Sequence, residues 1–264
     1  MEGIPQNKAE SRENYNELVG RITVFRHGDT EYTNQYPDLT DEGKWKLEAA
    51  GKSLKDRVDE DNEDVIFLHS PSIRAKASMA HLLHGMEKTH GVEESDVEEI
   101  ARSYAPLRSV KRYDLEETQK MIDQHTSDIA PDADPYVEFD RAYVLHEDFE
   151  NSPHWEARSK VEHRANRLLR QTVAMLIKNH SEDVQKTPHI VAVSHFETLN
   201  NLAVKIFNLD VQSDPLYARG EQMTFEVRGS SKAKDKVLVN CGFRGEERTV
   251  WFDVRTGEIT PANP

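Results

Sequence analysis

Arg21-Ile22-Thr23-Val24-Phe25-Arg26-His27-Gly28-Asp29-Thr30 is the stretch whose reading decides the fold. Its first five residues are dominated by β-branched and aromatic types that suit a strand, and the strand runs directly into Arg-His-Gly, where a polar loop begins. Working outward, Asp64 to His69 (DVIFLH) is a second apolar run, stopped by Ser70-Pro71, and His189 to Ser194 (HIVAVS) is a third, introduced by Pro188. Helical patterns separate these runs. Thr40-Asp41-Glu42 ahead of Leu47, Ala50 and Leu54 reads as an N-capped amphipathic helix, and a second helix is expected from Ile73 to about Met86. Val161, Ala165, Leu168, Leu169, Val173 and Leu176 recur at helical spacing between Glu156 and about Ile177, and Phe196 to Phe207 is again helical. Strands alternating with helices predict an α/β fold, a three-layer αβα sandwich whose mostly parallel central sheet carries helices on both faces.

The remaining segments fill in this frame. Glu98 to Arg102 is expected to add a short third strand. Residues 104–155 are rich in charge, aromatics and proline and read as an insertion over one end of the sheet, helical around Leu115 to Gln124. Near the C-terminus, Met223 to Val227, Lys236 to Asn240 and Thr249 to Val254 read as strands, the last two as an antiparallel hairpin, with Ser230-Ser231-Lys232 as a hairpin loop. We therefore expect a polar N-terminal tail over residues 1–20 and one α/β domain over 21–264, with the insertion or cap at about 104–155.

Composition narrows the function. The 264 residues are 31% charged and 36% hydrophobic and carry a formal net charge of −14, a surface that repels nucleic acid and anionic lipid at long range. The apolar runs are far too short to cross a bilayer, and no apolar segment of the signal-peptide kind opens the sequence, so neither a membrane nor a nucleic acid is an expected partner. With Cys241 as its single cysteine the chain forms no internal disulfide, which suits a cytoplasmic setting. The sequence carries no signal for an oligomeric state.

Chemistry is concentrated at the strand ends, where ligands sit in open α/β sheets. Arg26 and His27 follow the first strand, Arg74 the second and His195 the third. Two arginines and two histidines brought together repel one another unless an anion sits among them, and the planar fork of arginine suits a phosphate or a carboxylate.

These residues resemble the histidine phosphatase superfamily, whose members include phosphoglycerate mutases, acid phosphatases and phytases. The resemblance lies in Arg26-His27-Gly28 with Thr30 after a strand, and in Leu39-Thr40-Asp41-Glu42-Gly43, which matches the family's helix-starting LTxxG. It continues in Ser70-Pro71-x-x-Arg74-Ala75, with Ser78 in place of the usual Thr, and in His195 after an apolar strand. The matches cover roughly residues 21–86 and 188–207, in the family's order. The resemblance implies that His27 is a nucleophile forming phosphohistidine, and that Arg26, Arg74 and His195 hold the phosphoryl oxygens. It further implies that Thr30 bonds the phosphate or positions its loop, and that no metal or other cofactor is needed because side chains supply the cations. His195 would have to be protonated, its pKa raised by a neighbouring phosphate.

The chain departs from the family at the general acid. Where many small members have Glu in an L-x-E segment, this sequence has Leu107-Arg108-Ser109. Another branch places the acid just after the second histidine, and His195-Phe196-Glu197-Thr198 matches that arrangement, which makes Glu197 the expected acid and Asp114, Glu116 and Glu117 the alternatives. Mutases carry an Asn six residues after the nucleophile, where this chain has Thr33, with Asn34 next. The expected activity is hydrolysis of a phosphate monoester, on a small molecule or a phosphoprotein. A mutase-like phosphotransferase and a non-catalytic phospho-ligand-binding module are the alternatives. Arg108, Lys111 and Arg112 are candidates for a second anion site.

Overall fold

The computed structural model describes residue 15 and residues 17–33, 35–127, 134–181, 186–212, 216–230 and 233–262. In chain order the elements are β1 (Glu17–Arg26), α1 (Asp41–Lys55), β2 (Glu63–His69), α2 (Ile73–Gly85), α3 (Glu94–Ile100) and β3 (Ala101–Ser103). A short 3-10 turn at Ala105–Leu107 leads to α4 (Leu115–Thr126), α5 (Pro135–Leu145), α6 (Asp148–Asn151) and α7 (Arg158–Ser181). Then come β4 (Thr187–Ser194), α8 (Phe196–Phe207), β5 (Gln222–Ser230), β6 (Ala233–Phe243), β7 (Glu246–Asp253) and β8 (Ile259–Pro261).

Among the described residues the eight strands form one sheet, in the order β3-β2-β4-β1-β5-β6-β7-β8. The expectation of a mostly parallel sheet needs correcting. β3, β2, β4 and β1 are parallel neighbours, but β1 pairs with β5 antiparallel, and β5 to β8 form an antiparallel half. The cause is connection length. Parallel neighbours need a long crossover such as a helix, whereas β5 to β8 follow one another through short turns that only an antiparallel ladder accepts. The expected C-terminal hairpin, β6 with β7, is the middle of this larger meander; Ser231 and Lys232 of its expected preceding loop lie outside the described residues.

The expected third strand is shorter and shifted. Residues 94–100 are helical, started by a capping box between Glu93 and Asp96 and anchored by buried Val97, and only Ala101–Ser103 pairs with β2. β1 begins at Glu17, ahead of the apolar run that marks it in the sequence.

The pleat divides the core. On β4, Ile190 and Ala192 point to one face and Val191 and Val193 to the other. The first pair packs with α7 and α8, whose expected stripe Val161, Ala165, Leu168, Leu169, Val173 and Leu176 is buried throughout. The second pair packs with Phe25, Phe67 and the buried side chains of α1, α2 and α3. α1 starts where Thr40 accepts a hydrogen bond from the Gly43 amide, as the Thr-x-x-Gly pattern implies. Among the described residues no helix is long and apolar enough to cross a membrane.

Residues 104–155 supply α4, α5 and α6, tied together by an aromatic cluster of Phe139, Tyr143, Phe149 and Trp155 with ring centroids 5.5 to 6.5 Å apart. This cluster belongs to the core that also holds α7 and α8.

Candidate active site

Register at the strand ends assembles the site. Arg26 lies opposite Ser194, and His69 opposite Val193, so His27, Ser70 and His195 leave three adjacent strands side by side. With β4 between β1 and β2, His195 stands in the middle, His27 on one side and the start of α2 with Arg74 on the other. A cavity of about 850 Å³ opens over them, lined by Arg26, His27, Arg74, His195 and Glu197 among others.

His27 is buried, and its ring centroid is 5.1 Å from that of His195. Its Nδ1 lies 2.9 Å from the Gly28 carbonyl oxygen. A carbonyl only accepts, so Nδ1 carries the proton and the neutral ring keeps its lone pair on Nε2. Burial pushes the His27 pKa well below the usual imidazole value, and the charges of His195, Arg74 and Arg26 push it the same way. The loop that holds this ring is fixed by Ser78, which accepts from the Gly28 amide at 3.0 Å and donates to the Arg74 carbonyl at 2.7 Å. Gly43 has to be glycine here, because a Cβ would come within 2.5 Å of the Asp29 carbonyl oxygen.

His195 places Nε2 2.8 Å from the Ser70 hydroxyl and 3.1 Å from that of Ser72, which also caps α2. Its Nδ1 is buried without a partner. Burial lowers the His195 pKa, and Arg74, Arg26 and Arg164 lower it further. With these protein groups around it the ring is neutral, and the charged form expected from the sequence needs an anion beside it.

Arg26 is almost fully enclosed. It donates to the Tyr217 carbonyl, pairs with Asp140 and lies over the Phe196 ring at 4.9 Å, leaving Nε buried without a partner. Arg74 stands over the Tyr32 ring at 5.6 Å, and its Nε is likewise buried and unpartnered. Both arginines thus keep a donor free.

The two expected positions for an acid meet in space. Ser109, at the place of the L-x-E glutamate, donates to Glu197 Oε1 at 3.0 Å, and both line the cavity while Glu197 Oε2 has no partner. The alternatives lie elsewhere. Asp114 caps α4 by accepting from the Glu116 and Glu117 amides, while the Glu116 and Glu117 side chains pair with Lys120 on the surface. Thr30 is buried with an unpartnered hydroxyl but is not part of the cavity lining. Thr33 spends its amide and hydroxyl on Asp38, and Asn34 lies outside the described residues.

The expected basic trio separates. Arg108 makes a two-pronged pair with Glu156 at 2.7 and 2.8 Å. Burial alone would raise the Glu156 carboxyl, but its hydrogen bond to Arg108 and the charge of Arg164 outweigh it and bring the pKa down to about 2. Lys111 is exposed and meets Glu156 through its backbone, the Lys111 amide donating to the Glu156 carboxylate and the Lys111 carbonyl accepting from the Glu156 amide. Arg112 alone lines the cavity, its guanidinium over the Trp155 ring at 5.0 Å.

The cap adds a carboxylate that the sequence did not single out. Asp140, on α5, is buried, lines the cavity and pairs with Arg26.

No family model matches this chain, and no curated protein matches it. Solved structures do. YhfR of Bacillus stearothermophilus superposes with a TM-score of 0.55 at 16% identity, covering 86% of this chain and 97% of that one. A mycobacterial hydrolase gives 0.54 at 19% identity over 86% and 99%. A mycobacterial glucosyl-3-phosphoglycerate phosphatase gives 0.52 at 20% over 85% and 97%. The likeness is one of fold, and it extends over most of the length of each chain. This likeness stands beside the sequence motifs, which resemble the histidine phosphatase superfamily.

Proposed function

We propose that the protein is a phosphatase that hydrolyses phosphate monoesters through a phosphohistidine on His27, with no metal. The observation that carries this reading is the state of His27: a neutral imidazole, protonated on Nδ1 and free on Nε2, in a cavity whose other strand-end groups are Arg26, Arg74 and His195. Such a ring is a nucleophile in search of an electrophile, and the surrounding donors suit the oxygens of a phosphoryl group.

The steps follow from these placements. His27 Nε2 attacks phosphorus as the ester P–O bond breaks, and Glu197 in its acid form gives its proton to the leaving oxygen. Glu197, now a carboxylate, takes a proton from water. The hydroxide so formed attacks phosphorus, the P–N bond breaks, and neutral His27 and inorganic phosphate are regenerated. Arg26, Arg74 and protonated His195 offset the charge on the phosphoryl oxygens throughout. The cavity, at about 850 Å³, has room for a substrate well beyond the phosphoryl group.

The test is turnover of p-nitrophenyl phosphate in EDTA between pH 4 and 8, with acid-labile phosphoenzyme trapped by rapid quench. Wild-type turnover and labelling are expected, with both lost in His27→Ala. Full activity in that variant, or loss of wild-type activity in EDTA, would sink the reading.

A further inference from the structure

The roles above leave two cavity carboxylates unused, Asp123 and Asp140, and of these Asp140 is the one that pairs with Arg26. Asp140 reaches Arg26 from α5 in the cap, across 114 residues of sequence. Arg26 is held on three sides, by the Tyr217 carbonyl, the Asp140 carboxylate and the Phe196 ring. A phosphoryl group arriving at the free side of this guanidinium faces the Asp140 charge across it. Glu197 lines the same cavity. In a buried site such like charges are poorly screened.

We propose that Asp140 is a positioning residue that takes up a proton as the phosphoryl group binds, so that the pocket accepts a phosphate dianion and a proton together. The inference rests on the phosphatase reading for the nature of the ligand, but its test needs no turnover. A protonated carboxyl still offers its carbonyl oxygen to Arg26, so the guanidinium stays aimed while one negative charge leaves the site. The proton comes from solvent, forms one O–H bond on Asp140 and returns to solvent when phosphate departs.

The environment favours this exchange. Burial raises the Asp140 carboxyl to about 6, against the pull of Arg26 and with the push of Glu197, while Arg219 adds a smaller pull. An anion at Arg26 cancels that pull and moves the carboxyl further up. His27 and His195 titrate in the same cavity, with Arg74 as a fixed cation. Arg112 and Asp123 complete its charged lining. Because His195 is also expected to gain a proton beside an anion, the contribution of Asp140 is a difference between proteins, not a total.

Sulfate is the probe, since it stays a dianion across the pH range used. Its binding to wild type and to Asp140→Asn is measured calorimetrically at pH 5.5 and 7.5, in buffers of different ionisation enthalpy. At pH 7.5 the wild type is expected to take up about one proton more than the variant. A carboxyl near 6 when free and higher when bound leaves affinity intact below 6 and erodes it above. Asp140→Asn should therefore bind sulfate roughly 20- to 30-fold more tightly than wild type at pH 7.5, and within about twofold of it at pH 5.5.

Equal proton uptake by the two proteins, or weaker binding by the variant at pH 7.5, would overturn the proposal and leave Asp140 as a plain anchor for Arg26. Failure of wild type to bind sulfate at pH 5.5 while hydrolysing p-nitrophenyl phosphate would overturn it too, with the phosphatase reading intact. Asp140→Ser provides the same comparison should the asparagine variant not fold.

Discussion

His27, Arg74 and His195 each stand within a few residues of a strand end whose ladder fixes them, whereas Asp140 and Arg112 reach the same cavity from a helix and a loop outside the sheet. The floor is positioned by backbone: registers between β1, β4 and β2 set where the reactive side chains emerge. The cap is positioned by side chains, through the cluster of Phe139, Tyr143, Phe149 and Trp155 and the pair between Arg26 and Asp140. A ladder shared by three strands is hard to shift without unfolding the sheet. A four-ring cluster and an ion pair rearrange at lower cost. Under the proposed phosphatase reading, chemistry belongs to the floor and choice of substrate to the cap, and variants in each region are the way to break that division.

The largest effect belongs to the floor. Arg74→Ala is expected to lower kcat/KM for every phosphate ester by about 10²- to 10³-fold, since a charge-assisted contact to the transferring group is lost whatever the leaving group. A loss confined to large substrates would move Arg74 to the cap side of the division. Glu197→Gln comes next and is selective in another sense. Alkyl phosphates, whose leaving oxygen needs a proton, should slow by about 10- to 100-fold, while p-nitrophenyl phosphate should scarcely change. Equal slowing of both would remove Glu197 from the acid role.

His27 sharpens the comparison on a smaller scale. Its pKa is lowered by burial first and then by His195, Arg74 and Arg26. At pH 6 an imidazole of ordinary pKa is roughly three-quarters protonated, whereas His27 is expected to stay neutral, preserving about a fourfold advantage in competent nucleophile. A nitrogen-15 titration of the free protein should place the His27 midpoint below 6.5, and Arg74→Ala should move it upward. A midpoint at or above 6.5 would contradict the electrostatic account of the floor.

The floor was legible in the sequence for the same reason that it is rigid. A short buried strand that ends in a functional residue leaves an apolar run and a motif, and RITVF-RHG and HIVAVS-H show both. Ser70 was visible as part of a motif and Ser72 fills one of its open positions, though their hold on His195 emerged only from the fold. The antiparallel half also leaves a signal in the sequence. Met223-Thr224-Phe225-Glu226-Val227 alternates apolar and polar residues, with Met223, Phe225 and Val227 facing the core, as suits strands covered on one side, while Ile190 to Val193 is continuously apolar because both faces of its strand are buried. Asp140 left no comparable trace. In PYVEFDRAYVL it looks like any aspartate on a helix, and its importance comes from Arg26, far away in the chain. Arg108, Lys111 and Arg112 failed as a trio for a related reason. Proximity in sequence says nothing of direction, and Glu156 drew Arg108 away from the cavity.

Arg112 offers the smallest effect and the cleanest reading of the cap. Among the described residues it is the member of that trio which lines the cavity, and its guanidinium rests on Trp155 without a carboxylate partner in the pairs formed there. A cation so placed has no role in breaking a P–O bond at His27, but it can hold a second anionic group carried by the same substrate. Arg112→Ala should therefore leave p-nitrophenyl phosphate turnover within about twofold of wild type, while raising KM roughly fivefold for esters that bear a carboxylate or a second phosphate, the worth of one charge-assisted contact open to water. The uncharged alcohol phosphates of similar size serve as the control, because loss of cap shape would raise their KM as much as that of the charged esters. A rise confined to the charged esters would place substrate choice in the cap. An equal rise for all would mean that Arg112 supports the Trp155 cluster, and a fall in kcat for p-nitrophenyl phosphate would erase the line between floor and cap.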